Sequence, residues 1–232
     1  MKFAKEYFAN NEAVTHWWNP ESSITANIYK HGLDEVLKEL TRFSGIKTVL
    51  DAGCGKGRIS KELSKIYLVT AVDISDKMLD FVRDLNLSKV KIQRAELESL
   101  PFPDCTFDAI VCLETIVHLE DIEKVFREFY RVLKPGGILI VDFDNKYGLI
   151  RLIKNFFDYF FIKTDETYRL DRMVKKERFN TLGPKKVIYS LVQAGFLIHK
   201  KFFIGLFIPF KLKKATILSP QGFCFLASLK KF

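Results

Sequence analysis

The sequence predicts an α/β fold: a doubly wound, mostly parallel sheet with helices on both faces. Three observations carry that prediction. Short apolar runs alternate with segments of helical pattern between residues 30 and 143, the rhythm of strands joined by crossover helices. The run Lys47 to Leu50 ends on an acid, Asp51, and three glycines, Gly53, Gly55 and Gly57, follow at the head of a helix-like segment. The next apolar run, Tyr67 to Val72, ends on a second acid, Asp73.

Taken in order, the pattern predicts a helix near 30–42 and a strand over 47–51. A helix near 57–66 and a strand over 67–73 follow, then a helix near 76–85 with Asp76 as its N-cap. A strand over 89–93, a strand over 107–113 and a helix near 121–133 come next. Pro135-Gly136-Gly137 reads as a stop and turn before a strand over 137–143. The rhythm then breaks. Tyr147 to Phe161 is a largely apolar helix candidate, followed by the charged stretch Lys163 to Arg178. A helix over 183–194 and two strand-like runs, Phe196 to Leu206 and Gly222 to Leu229, end the chain. This is read as one domain: an N-terminal helical or lid segment (1–45), a core (46–145), an insertion after the fifth strand (146–182), and a C-terminal helix with a strand hairpin (183–232). Trp17, Trp18 and Tyr7 are the residues that could cover the site from the N-terminal segment.

The glycine turn lets a ligand approach the backbone. Dinucleotide loops space their glycines G-x-G-x-x-G and seat a pyrophosphate on the helix N-terminus. Here the spacing is G-x-G-x-G, and the Asp51 carboxylate points into the space a pyrophosphate needs. Like charges are unfavourable there, whereas a ligand with an ammonium or sulfonium is welcome. This argues against a nicotinamide-dependent oxidoreductase. Asp73 is placed to accept hydrogen bonds from ribose hydroxyls.

Val49-Leu50-Asp51-Ala52-Gly53-Cys54-Gly55-Lys56-Gly57 resembles motif I of the class I S-adenosylmethionine-dependent methyltransferases. The resemblance continues through Ala71 to Leu79, Ala95 to Asp104, Thr106 to Val111, Glu114 to Leu119 and Arg131 to Gly137. It covers roughly residues 40 to 145 and is closest to the type 11, ubiquinone- and menaquinone-type branch. The resemblance implies a Rossmann-like, doubly wound, seven-stranded sheet with one antiparallel strand, and S-adenosyl-L-methionine as methyl donor, leaving as S-adenosyl-L-homocysteine. It implies a cofactor site made of Asp51, Gly53, Cys54, Gly55, Asp73, Ile74, Met78, Glu96, Leu97, Leu113 and Glu114. Asp73 would take the ribose, Ile74 and Met78 would pack on adenine, and Glu96 and the Leu97 N–H would meet its polar edge. Leu113 and Glu114 would face the methionine portion. The family usually has Asp at the Glu96 position and a small residue at Leu97.

A hydroxyl or enol acceptor must lose a proton, and His118, just beyond the fourth strand, is the candidate base. Some relatives carry E-x-x-E-H and hold a divalent metal. This chain reads Glu114-Thr115-Ile116-Val117-His118, with valine at the second acid, so no metal is expected.

Cys54, Cys105, Cys112 and Cys224 show no C-x-x-C spacing and read as reduced thiols of a cytoplasmic protein. Hydrophobic content of 48% supports a packed core, and neither a signal-peptide core nor a run of eighteen uncharged apolar residues is present. The net charge of +9 is unevenly spread: residues 1–144 hold 19 Lys and Arg against 23 Asp and Glu, and residues 145–232 hold 18 against 5. The latter also contain 13 of the 22 phenylalanines. Neither an N/D-P-P-Y motif nor a Pro-Cys pair occurs, which removes the common nucleic-acid methylation chemistries. The expected activity is methyl transfer to a small hydrophobic or anionic acceptor, oxygen favoured over carbon or nitrogen. The alternative is a basic protein of the same fold that docks on RNA or an anionic membrane without catalysis.

Overall fold

The structure, a computed structural model, describes residues 33–144, 184–204 and 223–230. The predicted helix over 147–161, the charged stretch 163–178 and the aromatic N-terminal segment lie outside the described residues. Seven strands form one sheet in the order β3-β2-β1-β4-β5-β7-β6. They are β1 (Thr48–Ala52), β2 (Leu68–Asp73), β3 (Val90–Arg94), β4 (Phe107–Cys112), β5 (Leu133–Asp144), β6 (Phe196–Ile204) and β7 (Phe223–Lys230). The first five are parallel, and β7 runs antiparallel between β5 and β6.

The helices are α1 (residues 33–41), α2 (Arg58–Leu63), α3 (Asp76–Asp84), α4 (Ile122–Val132) and α5 (Pro184–Gln193). The period-two alternation of each strand divides them between two faces. Val49, Val69, Ala109, Val111, Ile138 and Ile140 pack with Val36 and Leu40 of α1 and Ile59 and Leu63 of α2. Leu50, Val72, Ile110, Leu139 and Val141 point the other way, onto Val125, Phe126 and Phe129 of α4 and Val187 and Leu191 of α5. Ala71 meets Leu79 and Val82 of α3. Phe126 and Phe129 are fully buried, each contributing on the order of 2–3 kcal/mol by removal from water.

Two local expectations are corrected. Ser75, not Asp76, caps α3: its Oγ accepts the Met78 N–H at 3.4 Å. Asp76 is the first helical residue, where its charge suits the helix dipole and pairs with Arg94 at 3.4 Å. Pro135-Gly136-Gly137 lies inside β5 rather than before it. Leu133 already pairs with Phe107, and pairing resumes at Ala109 with Ile138, so the segment is a bulge. Gly136 sits at φ 71°. A Cβ on Gly137 would lie 2.7 Å from Leu133 Cγ and 2.9 Å from the Asp108 carbonyl oxygen. Glycine is therefore a steric requirement there, which a turn reading also satisfies, and that is why sequence alone did not separate the two.

Strand order reverses between β1, which leads outward to β2 and β3, and β4, which returns to its other side. In an open α/β sheet ligands bind beyond the carboxyl ends of the strands at such a point.

Candidate active site

Four chain segments meet at this end of the sheet: the glycine turn after β1, the end of β2, the turn after β4 and the last part of β5. The turn after β1 needs left-handed backbone at three places, with φ 77° at Gly53, 52° at Gly55 and 79° at Gly57. Gly53 and Cys54 both donate their N–H groups to the Val72 carbonyl at 2.9 Å, tying the turn to β2. The glycines then diverge in role. A Cβ on Gly53 would collide with the Thr115 side chain, whose Oγ1 donates to the Gly53 carbonyl at 3.2 Å. At Gly55 a Cβ would meet nothing within 4 Å. Close approach at Gly53 is therefore to the protein's own β4 turn, and the open side of the loop is at Gly55.

Asp73, at the end of β2, holds this loop from outside. Its Oδ2 accepts the Gly55 N–H and its Oδ1 the Ser75 N–H, each at 2.9 Å. Carboxylate oxygens accept more than one hydrogen bond, so the group keeps capacity toward a ligand. Burial holds its pKa above the ordinary value despite these donors.

Asp51 is 2% exposed and shares the α2 face of the sheet, where Ser60 Oγ donates to its Oδ2 at 2.5 Å. The α2 face buries it because side chains alternate along β1, with Leu50 and Ala52 opposite. Burial raises its pKa to about 6, against the Ser60 hydrogen bonds and Arg58; neighbouring Asp73 adds to the rise. Asp142 of β5 is likewise 2% exposed, and its Oδ1 accepts the Glu114 N–H at 2.5 Å. Glu114 has φ 57°, an uncommon conformation for a residue with a side chain. Its carboxylate pairs with Arg58 Nη2 at 2.9 Å, both side chains less than a third exposed. Asp51, Asp73, Glu114 and Asp142 thus crowd the carboxyl ends of the strands. This acid-rich edge fits a cationic ligand.

The remaining predicted residues fall around it. Cys54 is buried against Ala71, Leu79 and Val82, with burial pushing its thiol pKa far up. Its N–H is committed to Val72 and its side chain turns away from the open side of the loop. Leu113 packs among Val111 and Ile140, and Leu97 lies 5% exposed against the α4 face. Ile74 and Met78 are half-buried beside the end of β2, and Glu96 is exposed. Ala95 donates to the Asp73 carbonyl at 3.1 Å, which brings the chain carrying Glu96 next to Asp73. His118 ends a short 3₁₀ turn, Ile116–His118, and its N–H donates to the Thr115 carbonyl at 2.9 Å. Among the described residues no three His, Cys, Asp or Glu side chains cluster as metal ligands.

Sequence reasoning missed Arg58, Ser60, Thr115 and Asp142. An acid inside the run Ile138-Leu139-Ile140-Val141-Asp142-Phe143 was a readable signal for Asp142. Thr115 had none, since its role is to fill the space of an absent side chain sixty-two positions away.

Residues 50–141 match the family model of a methyltransferase domain. The chain is 34% identical over 152 residues to a ubiquinone/menaquinone biosynthesis C-methyltransferase, UbiE, of Citrobacter koseri, covering 60% of this chain and 61% of that protein. It is 30% identical over 142 residues to the O-methyltransferase cnsE of Penicillium expansum, covering 55% and 49%. The chain thus spans less than two thirds of the length of these relatives. Its fold is similar to that of magnesium protoporphyrin IX methyltransferase (ChlM) from Synechocystis, solved with bound S-adenosylhomocysteine, with TM-score 0.70, 17% identity, and coverage of 99% of this chain and 94% of that one.

Proposed function

We propose that this protein, whose residues 50–141 match the family model of a methyltransferase domain, transfers a methyl group from S-adenosyl-L-methionine to a small hydrophobic or anionic acceptor. The single observation that carries the reading is the acid-rich strand edge with an open loop at Gly55. When bound, S-adenosylmethionine supplies an electrophilic methyl on a sulfonium whose positive charge disperses as the methyl leaves.

This chain's residues then have the following roles. Asp73 accepts from the ribose hydroxyls while holding the Gly55 N–H. The backbone of Gly53 to Gly55 lies along the amino-acid half, and ionised Asp51 beneath it favours the cationic ligand. Ile74 and Met78 flank adenine, with Glu96 and the Leu97 N–H at its polar edge. Leu113 and Glu114 border the methionine portion, and Arg58 keeps the Glu114 carboxylate in place. Alignment of acceptor, methyl carbon and sulfur away from water supplies most of the rate. His118 takes the proton of a hydroxyl or enol acceptor. Carbon acceptors stand beside oxygen in this reading, because the relatives include methyltransferases of both kinds. The cytoplasmic placement is likewise a proposal, resting on the cysteine spacing.

Isothermal calorimetry of the full chain with S-adenosylmethionine and S-adenosylhomocysteine tests the premise. Binding in the micromolar range is expected for both; no heat at millimolar ligand removes the reading.

A further inference from the structure

Arg131 and Glu128 lie on α4, on the opposite side of the chain segment that would read adenine, and neither lines the strand edge described above. We propose that they form a positioning clamp that sets the base selectivity of the cofactor pocket. The inference rests on the methyltransferase reading of that pocket.

The segment from Glu96 to Asp104 leaves β3 beside Asp73 and must return to β4. Within it the described backbone bonding is slight: Ser99 donates to the Glu96 carbonyl at 3.1 Å, and these two residues form an isolated bridge. Its shape is imposed instead by α4. Glu128 Oε2 accepts the Leu100 N–H at 2.8 Å. Arg131 Nη2 donates to the Leu100 carbonyl at 2.9 Å, and Nη1 donates to the Phe102 carbonyl at 2.7 Å and to Asp104 Oδ1 at 2.9 Å. The remaining donors, Nε and the second Nη2 hydrogen, hold Glu128 at 2.9 and 2.8 Å. Five bonds use all five guanidinium hydrogens, in the planar fork that lysine cannot reproduce. The backbone continues the attachment, with Cys105 donating to the Arg131 carbonyl and Thr106 to the Val132 carbonyl.

Leu97 and Leu100, 5% and 4% exposed, are pressed into the same α4 face. Two anchors therefore fix Glu96 and Leu97: Ala95 on the Asp73 carbonyl on one side, and the clamp at Leu100 on the other. A pocket that hydrogen-bonds one edge of a base discriminates only as well as its donors and acceptors are placed. Arg131 and Glu128 act through that placement and touch no ligand themselves.

The test compares Arg131→Lys and Glu128→Ala with the unaltered full chain, using calorimetry with S-adenosylhomocysteine and with S-inosylhomocysteine, in which a carbonyl replaces the adenine amino group. Circular dichroism fixes a temperature at which each protein is folded. The expected result is that both variants bind S-adenosylhomocysteine roughly tenfold more weakly while their affinity for the inosyl ligand changes little, so selectivity collapses. Equal weakening toward both ligands, or selectivity retained by Arg131→Lys, overturns the clamp and leaves the function standing. An unaltered chain that binds neither ligand overturns both.

Discussion

Two aspartates at opposite ends of the same central strands show how this fold separates stability from function. Asp108 starts β4 at the amino end of the sheet. Its Oδ2 accepts the Lys47 N–H at 2.9 Å, the Thr48 N–H at 2.8 Å and the Thr48 hydroxyl at 2.9 Å, and its Oδ1 takes Lys134 Nζ at 2.7 Å. Desolvation is outweighed by these donors, and its pKa falls to about 2. Asp51 lies near the carboxyl end of β1, buried, with the Ser60 hydroxyl and backbone N–H on its side chain, and burial raises its pKa to about 6. The same residue type is matched by a lysine and several donors at the end we read as structural, and kept largely desolvated at the end where we propose that a cation binds. Perturbed acids of this second kind cluster at functional sites.

The largest expected effect lies on the binding side of this contrast. Asp73→Ala removes the acceptor of the Gly55 N–H and the proposed acceptor of the ribose hydroxyls. Affinity for S-adenosylhomocysteine should fall a hundredfold or more, about 3 kcal/mol, since hydrogen bonds to a charged group contribute roughly 1.5–3 kcal/mol each. Calorimetry reads this directly. An unchanged dissociation constant would remove Asp73 from the site.

Asp51 gives the next effect. Its folded pKa lies above the ordinary 3.8, so folding favours its protonated form. The stability it contributes is fully present below pH 3.8 and is lost as pH rises through about 6, a change of about 3 kcal/mol for a fully buried group. In the ligand-free protein Asp51→Asn should therefore gain on the wild type between pH 4 and pH 7 in urea titrations. With ligand the sign reverses. S-adenosylmethionine should bind the wild type more tightly at pH 7 than at pH 5, with proton release near pH 6, and Asp51→Asn should lose this dependence. A flat pH profile for the wild type would break the comparison between the two aspartates.

Asp108→Asn should do the opposite. A depressed pKa means stability present above pH 3.8 and lost as pH falls through about 2. The substitution should cost about 2 kcal/mol at neutral pH, lowering the urea midpoint while leaving cofactor affinity unchanged.

Much of the fold, and one side of this contrast, was legible in the sequence. The alternation of apolar runs located the five parallel strands within a residue or two, apart from β5, whose bulge disguised its first half. The strand-terminal acids Asp51 and Asp73 announced themselves by following apolar runs. What sequence could not supply was partnership. Whether Asp51 meets a hydroxyl or an ammonium depends on α2 turning Ser60 inward, and two of Asp108's donors, the N–H and hydroxyl of Thr48, lie on a strand sixty residues earlier. Pairing across such distances has no local signature, because strand register rather than neighbourhood decides it.

The two glycines of the loop sharpen the comparison on the smallest scale. Gly53 faces Thr115 and Gly55 faces open space, so their alanine variants should fail differently. Gly53→Ala must displace the β4 turn, including the Thr115 hydroxyl that bonds the Gly53 and Leu113 carbonyls, and should mainly lose stability. Gly55→Ala meets no atom; its backbone at φ 52° costs about 1 kcal/mol for a residue with a Cβ. Its thermal midpoint should move by only a few degrees, while affinity for S-adenosylhomocysteine drops severalfold because the new methyl occupies the ligand's side of the loop. If Gly55→Ala bound as tightly as the wild type, the open face of the loop would belong to solvent, and the acid-rich edge would need a ligand that approaches from β4 instead.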